Sequence, residues 1–226
     1  MTHRFNRRTI VAGLGATSAA LLLPAQARAQ LLSRGLNLSS ILGRASDNAL
    51  DKLAEPGAFY GDEDVRIGLP IVGRRRGGLL GSILGAGERL GILEPITRKI
   101  NDAAGVAAGE AKPIFRDAID DLSLTDAPGI IREKDGGTQY LRESSNDRLH
   151  ERLEPLVDNA LEAAGVYGQF ERLSEQHSFI RRAGLDRERI NRSVTDQGLD
   201  GIFAYIGAEE RDFRDNPLGG LGSILG

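Results

Sequence analysis

Apolar residues in this chain recur every three or four positions through almost its whole length. Only at Val65, Ile67 and Leu69 do they alternate, and Pro70 ends that run at once. A helical period without a sustained two-residue period leaves no material for a sheet, so the expected fold is all-α with one short extended arm. The first stripe is Leu38, Ile41, Leu42, Ala45, Ala49 and Leu53, stopped by Pro56-Gly57. The second is Leu93, Ile96, Ile100, Ala103, Ala104 and Ala107, with Pro95 suited to a first turn and small residues that admit a close neighbour. Pro113 starts a third, with Ile114, Phe115, Ala118, Ile119 and Leu122 facing inward, and Thr125 or Asp126 can cap a short helix ending near Ile131.

Gly136-Gly137 is expected to break the chain and Thr138 to cap the helix after it. The next stripe is Leu149, Leu153, Leu156, Val157, Ala160, Leu161 and Ala164. Gly165 stops it, and Pro155 inside it implies a kink or a fresh start. Tyr167, Phe170 and Leu173 lead into a polar stretch, and Asp186 can cap a short turn. The last strong element spans about Ser193 to Phe213, with Val194, Leu199, Ile202, Phe203, Ile206 and Phe213 inside and Asn216-Pro217 at its end. The sum is a single compact domain of seven to nine mostly short amphipathic helices.

The first 29 residues read as an address. Arg4, Arg7 and Arg8 precede a weakly apolar, glycine-containing stretch from Val11 to Leu23, and Ala27-Arg28-Ala29 is a small-x-small cleavage site. The Arg7-Arg8 pair gives it the form of a twin-arginine signal, with cleavage after Ala29. About 13 apolar residues are too few for a span that needs about 20. The chain is therefore expected in the periplasm, soluble or peripheral, with no transmembrane span after signal removal. The mature part, 30–226, holds a helical domain over 30–217 and a Gly/Leu-rich tail over 218–226. Residues 74–87 form a Gly-rich insert beginning Arg74-Arg75-Arg76, whose Gly-Ser-Ile-Leu-Gly core echoes the tail, and Ser40-Ile41-Leu42-Gly43 is a partial third copy.

Composition excludes several classes. The whole chain carries 29 Lys+Arg against 32 Asp+Glu; losing the four arginines of the leader takes the basic count to 25 and the net charge to −7. That balance opposes phosphate-driven binding of nucleic acid and simple docking on anionic lipid. Without cysteine there is no disulfide, thiolate metal site or thiol nucleophile. There is no Gly-x-Ser-x-Gly elbow and no phosphate loop, and His150 and His177 lack the helical spacing of a zinc pair, so both are read as surface histidines. No cofactor or metal is expected. Asp120-Asp121 and Glu209-Glu210 are adjacent acids, and Asp117 and Asp121, four apart, put two acids on one helix face, most plainly a solvated one; Glu209, Glu210 and Arg214 read as helix-surface ion pairs. Asp200 sits between Leu199 and Gly201-Ile202-Phe203 and is expected near the apolar face, paired with a cation from another helix.

Several segments taken in order carry a resemblance. They are Val65-Arg66-Ile67-Gly68-Leu69-Pro70, Ala111-Lys112-Pro113-Ile114-Phe115-Arg116-Asp117-Ala118-Ile119, Thr138-Gln139-Tyr140-Leu141-Arg142, and Leu156-Val157. Further on stand Val194-Thr195-Asp196-Gln197-Gly198-Leu199-Asp200-Gly201-Ile202-Phe203, Glu209-Glu210 and Arg214-Asp215-Asn216-Pro217. Over about Leu38 to Pro217 the chain resembles the exported bacterial proteins of the domain-of-unknown-function family numbered 4197. The resemblance implies an all-helical exported protein and lends no catalytic residue. The positions matching the family's polar residues are Asn101, Lys112, Asp117, Asp126, Thr138, Tyr140, Arg142, Asp200, Glu209, Arg214 and Asn216. The insert and the tail depart from the family's pattern.

Three functions fit these features. The first is a non-enzymatic binding or scaffold protein of the periplasm, whose apolar stripes enclose a site for an apolar small molecule or meet an envelope protein. The second is an enzyme using carboxylates or a divalent ion, which needs Asp117, Asp200 and Glu210 to converge. The third is a peripheral envelope protein that touches the membrane through its Gly/Leu segments.

Overall fold

The computed structural model describes residues 25–69, 91, 93–123 and 133–215, backbone only over 25–37. The stripes become helices: α1 (Ala25–Ala54), α2 (Ala58–Gly61), α3 (Glu94–Glu110), α4 (Lys112–Asp120), α5 (Gly136–Ala163), α6 (Val166–Gln176), α7 (Ser178–Arg182) and α8 (Arg187–Asp215). Among the described residues there are eight helices and no strand, as an all-α chain requires. The expectation of mostly short helices needs correction, because α1, α5 and α8 run 30, 28 and 29 residues and carry the architecture. Helix α8 packs along both α1 and α5, and α3 crosses α1 and α5. Most inward positions bury as expected, while Ile41, Leu122, Leu156, Ala160, Ala164 and Phe213 are half-buried, and Phe115 meets Phe203 edge-on at 6.0 Å across the centre. A Cβ at Gly105 would stand 3.2 Å from the Leu53 carbonyl, so α1 and α3 cross as closely as the small residues allow.

Three local readings change. Gly136-Gly137 does not break the chain; both are buried in the first turn of α5. A Cβ on Gly137 would lie 2.8 Å from Glu210 Oε1 and 2.9 Å from Leu38 Cδ1, so the missing side chain makes room for α8 and α1. Helix α5 continues through Pro155 without a new start, although that position offers no backbone N–H. Asp186 caps the long α8 rather than a short turn: Arg189 N–H donates to its Oδ1 at 2.9 Å. The short helix expected after Thr125 or Asp126, the Gly-rich insert and the tail lie outside the described residues.

The arm is extended, with Val65, Ile67 and Leu69 buried. Two side-chain amides take the place of a neighbouring strand. Ile67 N–H donates to Asn101 Oδ1 at 2.8 Å, and Asn101 Nδ2 donates to Ile67 O at 2.9 Å. On the next residue, Gly68 N–H donates to Gln197 Oε1 at 2.9 Å, and Gln197 Nε2 returns a bond to Gly68 O at 3.1 Å. Asn101 stands on α3 and Gln197 on α8, so the arm satisfies its backbone in a single-strand segment that a sheet would otherwise have to serve.

Helix α4 is held on both flanks by charge. Lys112 and Arg116 pair with Asp51 and Asp47 of α1, while Asp117 and Asp121 pair with Arg152 and Arg148 of α5. Each flank uses residues one turn apart on both helices, so the pairs stack as antiparallel rungs. Gly43 leaves room for the Arg116 guanidinium on its way to Asp47.

Candidate functional site

The most buried charge in the described part is Glu210, fully enclosed on α8. The first turn of α5 points its free N–H groups at this carboxylate. Gly137 N–H donates at 3.1 Å and Thr138 N–H at 2.7 Å, and the Thr138 hydroxyl adds a bond of 2.8 Å. Arg214, one turn along α8, closes the cluster with Nε at 3.0 Å and Nη2 at 2.5 Å. An acid at the positive end of a 28-residue helix is where the dipole favours it. Thr138 therefore does not cap by its own side chain; a carboxylate from another helix does that work. Next to it, Glu209 accepts from Asn48 Nδ2 at 3.2 Å and pairs with Lys52, fastening α8 to α1. These bonds tie together residues of three helices, which makes the cluster a clasp between α1, α5 and α8.

The other positions singled out by the resemblance disperse. Asn101 serves the arm. Lys112 and Asp117 belong to the rungs on α4. Tyr140 donates to the Ser123 carbonyl at 3.1 Å. Asp126 and Asn216 lie outside the described residues. Asp200 is not buried: its side chain is 54% exposed and pairs with Arg142, whose guanidinium lies 5.4 Å over the Phe203 ring. The partner from another helix is as expected; the burial is not, because Asp200 stands on the rim of the α8 stripe. The convergence required of Asp117, Asp200 and Glu210 is absent. Their partners Arg152, Arg142 and Thr138 are spread along α5, and 14 residues separate the outer two, about 21 Å of helix. Among the described residues no group of three His, Asp or Glu could hold a metal ion. His150 pairs with Asp196 at 3.1 Å and His177 lies against Phe179.

Among the described residues the stripes pack closely: the internal space beside Phe59, Leu153, Val157 and Ile202 is about 20 Å³, too small for an apolar guest. A larger opening lies at the end of the molecule. Helix α6 packs on α3, α5 and α7, and between α6 and the start of α8 there remains an open cleft of about 520 Å³. Phe170 and Ile190 form its buried floor, and Tyr167 and Leu185 are half-buried in its walls. Glu162, Glu171, Asp186 and Arg187 stand around the rim. Arg187 is held by Asp158 at 2.7 and 3.0 Å and by Glu162 at 2.5 Å, and its guanidinium lies 4.5 Å over the Tyr167 ring. Tyr167 donates to Asp158 at 2.7 Å. The Arg187 hydrogen bond, chiefly, holds the Asp158 carboxyl below its ordinary range, and burial, then Asp158, pushes the Tyr167 phenol up.

The sequence reading missed this place. A signal was present: Glu154, Asp158 and Glu162 are acids at successive spacings of four, and Glu162 lies in the last turn of α5, where the dipole disfavours it. Such a row calls for a cation from elsewhere in the chain, and Arg187 supplies it for the last two.

Fold and cleft together define an all-helical protein with a closely packed core and an open cleft between α6 and α8 among the described residues. The chain belongs to the family described as protein of unknown function (DUF4197), whose sequence model matches residues 30–226. No curated protein and no solved structure matches it. Among the described residues no helix is long and apolar enough to cross a membrane.

Proposed function

We propose that this protein is exported through the twin-arginine route, matures by cleavage after Ala29, and works in the periplasm as a non-enzymatic binding protein. The observation that carries the binding role is the cleft between α6 and α8, within the 300–1,000 Å³ typical of small-ligand sites and walled by both apolar and charged groups. The close packing beside Phe59, Leu153, Val157 and Ile202 supports a site at this open end over an enclosed apolar cavity there. For export, the support is the Arg7-Arg8 leader together with a family match that begins at Gln30, the residue after the expected cleavage.

Native mass spectrometry of protein isolated from the periplasm of an exporting host tests both parts. The expected species starts at Gln30 and carries a non-covalent adduct that denaturation removes. The variant Gly168→Trp adds an indole at an exposed residue of the cleft lining; a Cβ there is in ordinary contact with Arg172 Nη1 at 3.6 Å, and circular dichroism of the variant checks that the helices are kept. The adduct should vanish in that variant. A clean mass for the wild-type protein, or an adduct indifferent to Gly168→Trp, would defeat the cleft as the binding site. Uncleaved protein retained in the cytoplasm would defeat the export reading.

A further inference from the structure

We propose that maturation has a second, chemical step: once cleavage after Ala29 frees Gln30, that residue closes on itself to a pyroglutamate. This rests on the export reading and is independent of the binding role. A glutamine at a free N-terminus carries nucleophile and electrophile in one side chain's reach. The α-amine nitrogen attacks Cδ and a five-membered lactam forms. The Cδ–Nε2 bond breaks, and the departing nitrogen takes up the proton the amine loses and leaves as ammonia. No oxidant, cofactor or second substrate enters the step. In the uncleaved chain the Gln30 nitrogen is a peptide amide and cannot react in this way. Two separate features point to a free amine at this residue: the small-x-small sequence Ala27-Arg28-Ala29, and a family match that begins at Gln30.

The helix gives the modification a physical consequence. The backbone of α1 is helical from Ala25 to Ala54, so the cut falls inside the helix and Gln30 becomes its first residue. The amides of 31–33 then lose the carbonyls of 27–29 as partners, and a full positive charge is added to the end where the dipole is already positive. Nothing nearby in the sequence offsets it. The closest charge is that of Arg34, and the first acid after Gln30 is Asp47, which is already paired with Arg116. Closing the lactam removes the ammonium. It also sets a five-membered ring at the first helical position, the arrangement that proline favours there. The helix keeps its start, and the amine that an aminopeptidase needs is gone.

The test is N-terminal peptide mapping by mass spectrometry of protein isolated from the periplasm of an exporting host and then held at neutral pH. The expected N-terminal peptide begins at position 30, is lighter by one ammonia than its sequence, is blocked to N-terminal sequencing, and is opened by a pyroglutamyl aminopeptidase. Gln30→Ala keeps the cleavage site and the amine but has no amide carbon to attack. Its terminus should remain open to sequencing and be trimmed by a general aminopeptidase that leaves the wild-type protein intact. A peptide that begins at Gln30 and keeps its full mass and a free amine would overturn the cyclisation and leave export standing. A loss of ammonia that maps to another residue, or that persists in Gln30→Ala, would overturn it as well. A chain that keeps its leader, or begins at another residue, would remove the expected cleavage and the cyclisation together.

Discussion

Glu210→Ala is the sharpest perturbation this fold offers. The wild-type carboxylate is fully enclosed and accepts from the Gly137 and Thr138 amides, the Thr138 hydroxyl and two nitrogens of Arg214. Truncation strands two helix N-terminal amides and a hydroxyl, and leaves Arg214, 19% exposed, without its carboxylate. Orphaned buried donors cost about 1–3 kcal/mol each when nothing replaces the acceptor, and breaking a buried charge pair costs about 3–5 kcal/mol. These overlap, because water can reach the part of Arg214 that stays exposed, so the expected loss is about 4 kcal/mol rather than their sum. For a domain of this size, that corresponds to a fall in Tm of about 8–16 °C. Urea unfolding followed by helical circular dichroism measures it directly. Thr138→Val, which removes only the hydroxyl, should cost about 1 kcal/mol, and its effect should largely disappear in the Glu210→Ala background. A loss below about 1 kcal/mol for Glu210→Ala would refute the clasp, because it would mean that water or another group satisfies the start of α5.

Three further outcomes rest on the same geometry. Asp200→Asn should change stability by less than about 1 kcal/mol, since that pair is half-exposed; a large drop in Tm would show that Asp200 is enclosed in solution. Asn101→Ala should cost about 2–4 kcal/mol because it orphans both polar groups of buried Ile67, whereas half-buried Gln197→Ala should cost about 1 kcal/mol; equal losses in urea titrations would contradict the unequal burial of the two amides. Asp158 has a lowered pKa in the folded state, so its contribution is present above the ordinary carboxylate value near about 3.9 and is lost as pH falls through the lowered one. Tm measured from pH 7 downward should therefore fall less steeply in Asp158→Asn than in wild type below about pH 4; parallel curves would mean that the Arg187 pairing is not formed.

The helices were legible because burial leaves a 3.6-residue trace, and the inward positions of α3, α4 and α8 lie where that trace puts them. The arm was legible for the complementary reason, since three alternating apolar residues before a proline cannot be a helical stripe. The features that escaped have a common cause. Gly136-Gly137 looks like a break in one dimension and is a contact in three: the glycines are needed by Leu38 and Glu210, which are far from them in the chain. Asp200 neighbours Leu199 and Ile202 in sequence, but on a helix the residues one turn apart share a face. Asp196 and Asp200 both lie on the flank toward α5, where they meet His150 and Arg142. The cleft could not be read at all from periodicity, because it exists where α6 turns its apolar face to α3 and α5 and leaves the start of α8 uncovered.

A division of labour emerges from where the polar residues are used. The described positions that carry the family resemblance, Asn101, Lys112, Asp117, Thr138, Tyr140, Arg142, Asp200, Glu209 and Arg214, all bind other parts of the same chain. They hold the arm, fasten α4 on both flanks and clasp α8 to α1 and α5. Where such a residue is buried, as Asn101, Thr138 and Glu209 are, its loss is felt in the fold, whereas the exposed pairs of Lys112, Asp117 and Asp200 contribute only about 0–1 kcal/mol each. The rim of the cleft is under no such constraint. Glu162, Glu171, Asp186 and Arg187 are on the surface, and exposed charge pairs contribute only about 0–1 kcal/mol each, so their identities can change at little cost to stability. On the proposed binding role, specificity belongs at the α6–α8 end, and substitutions of Glu162 and Glu171 should move binding while leaving the unfolding transition where it is.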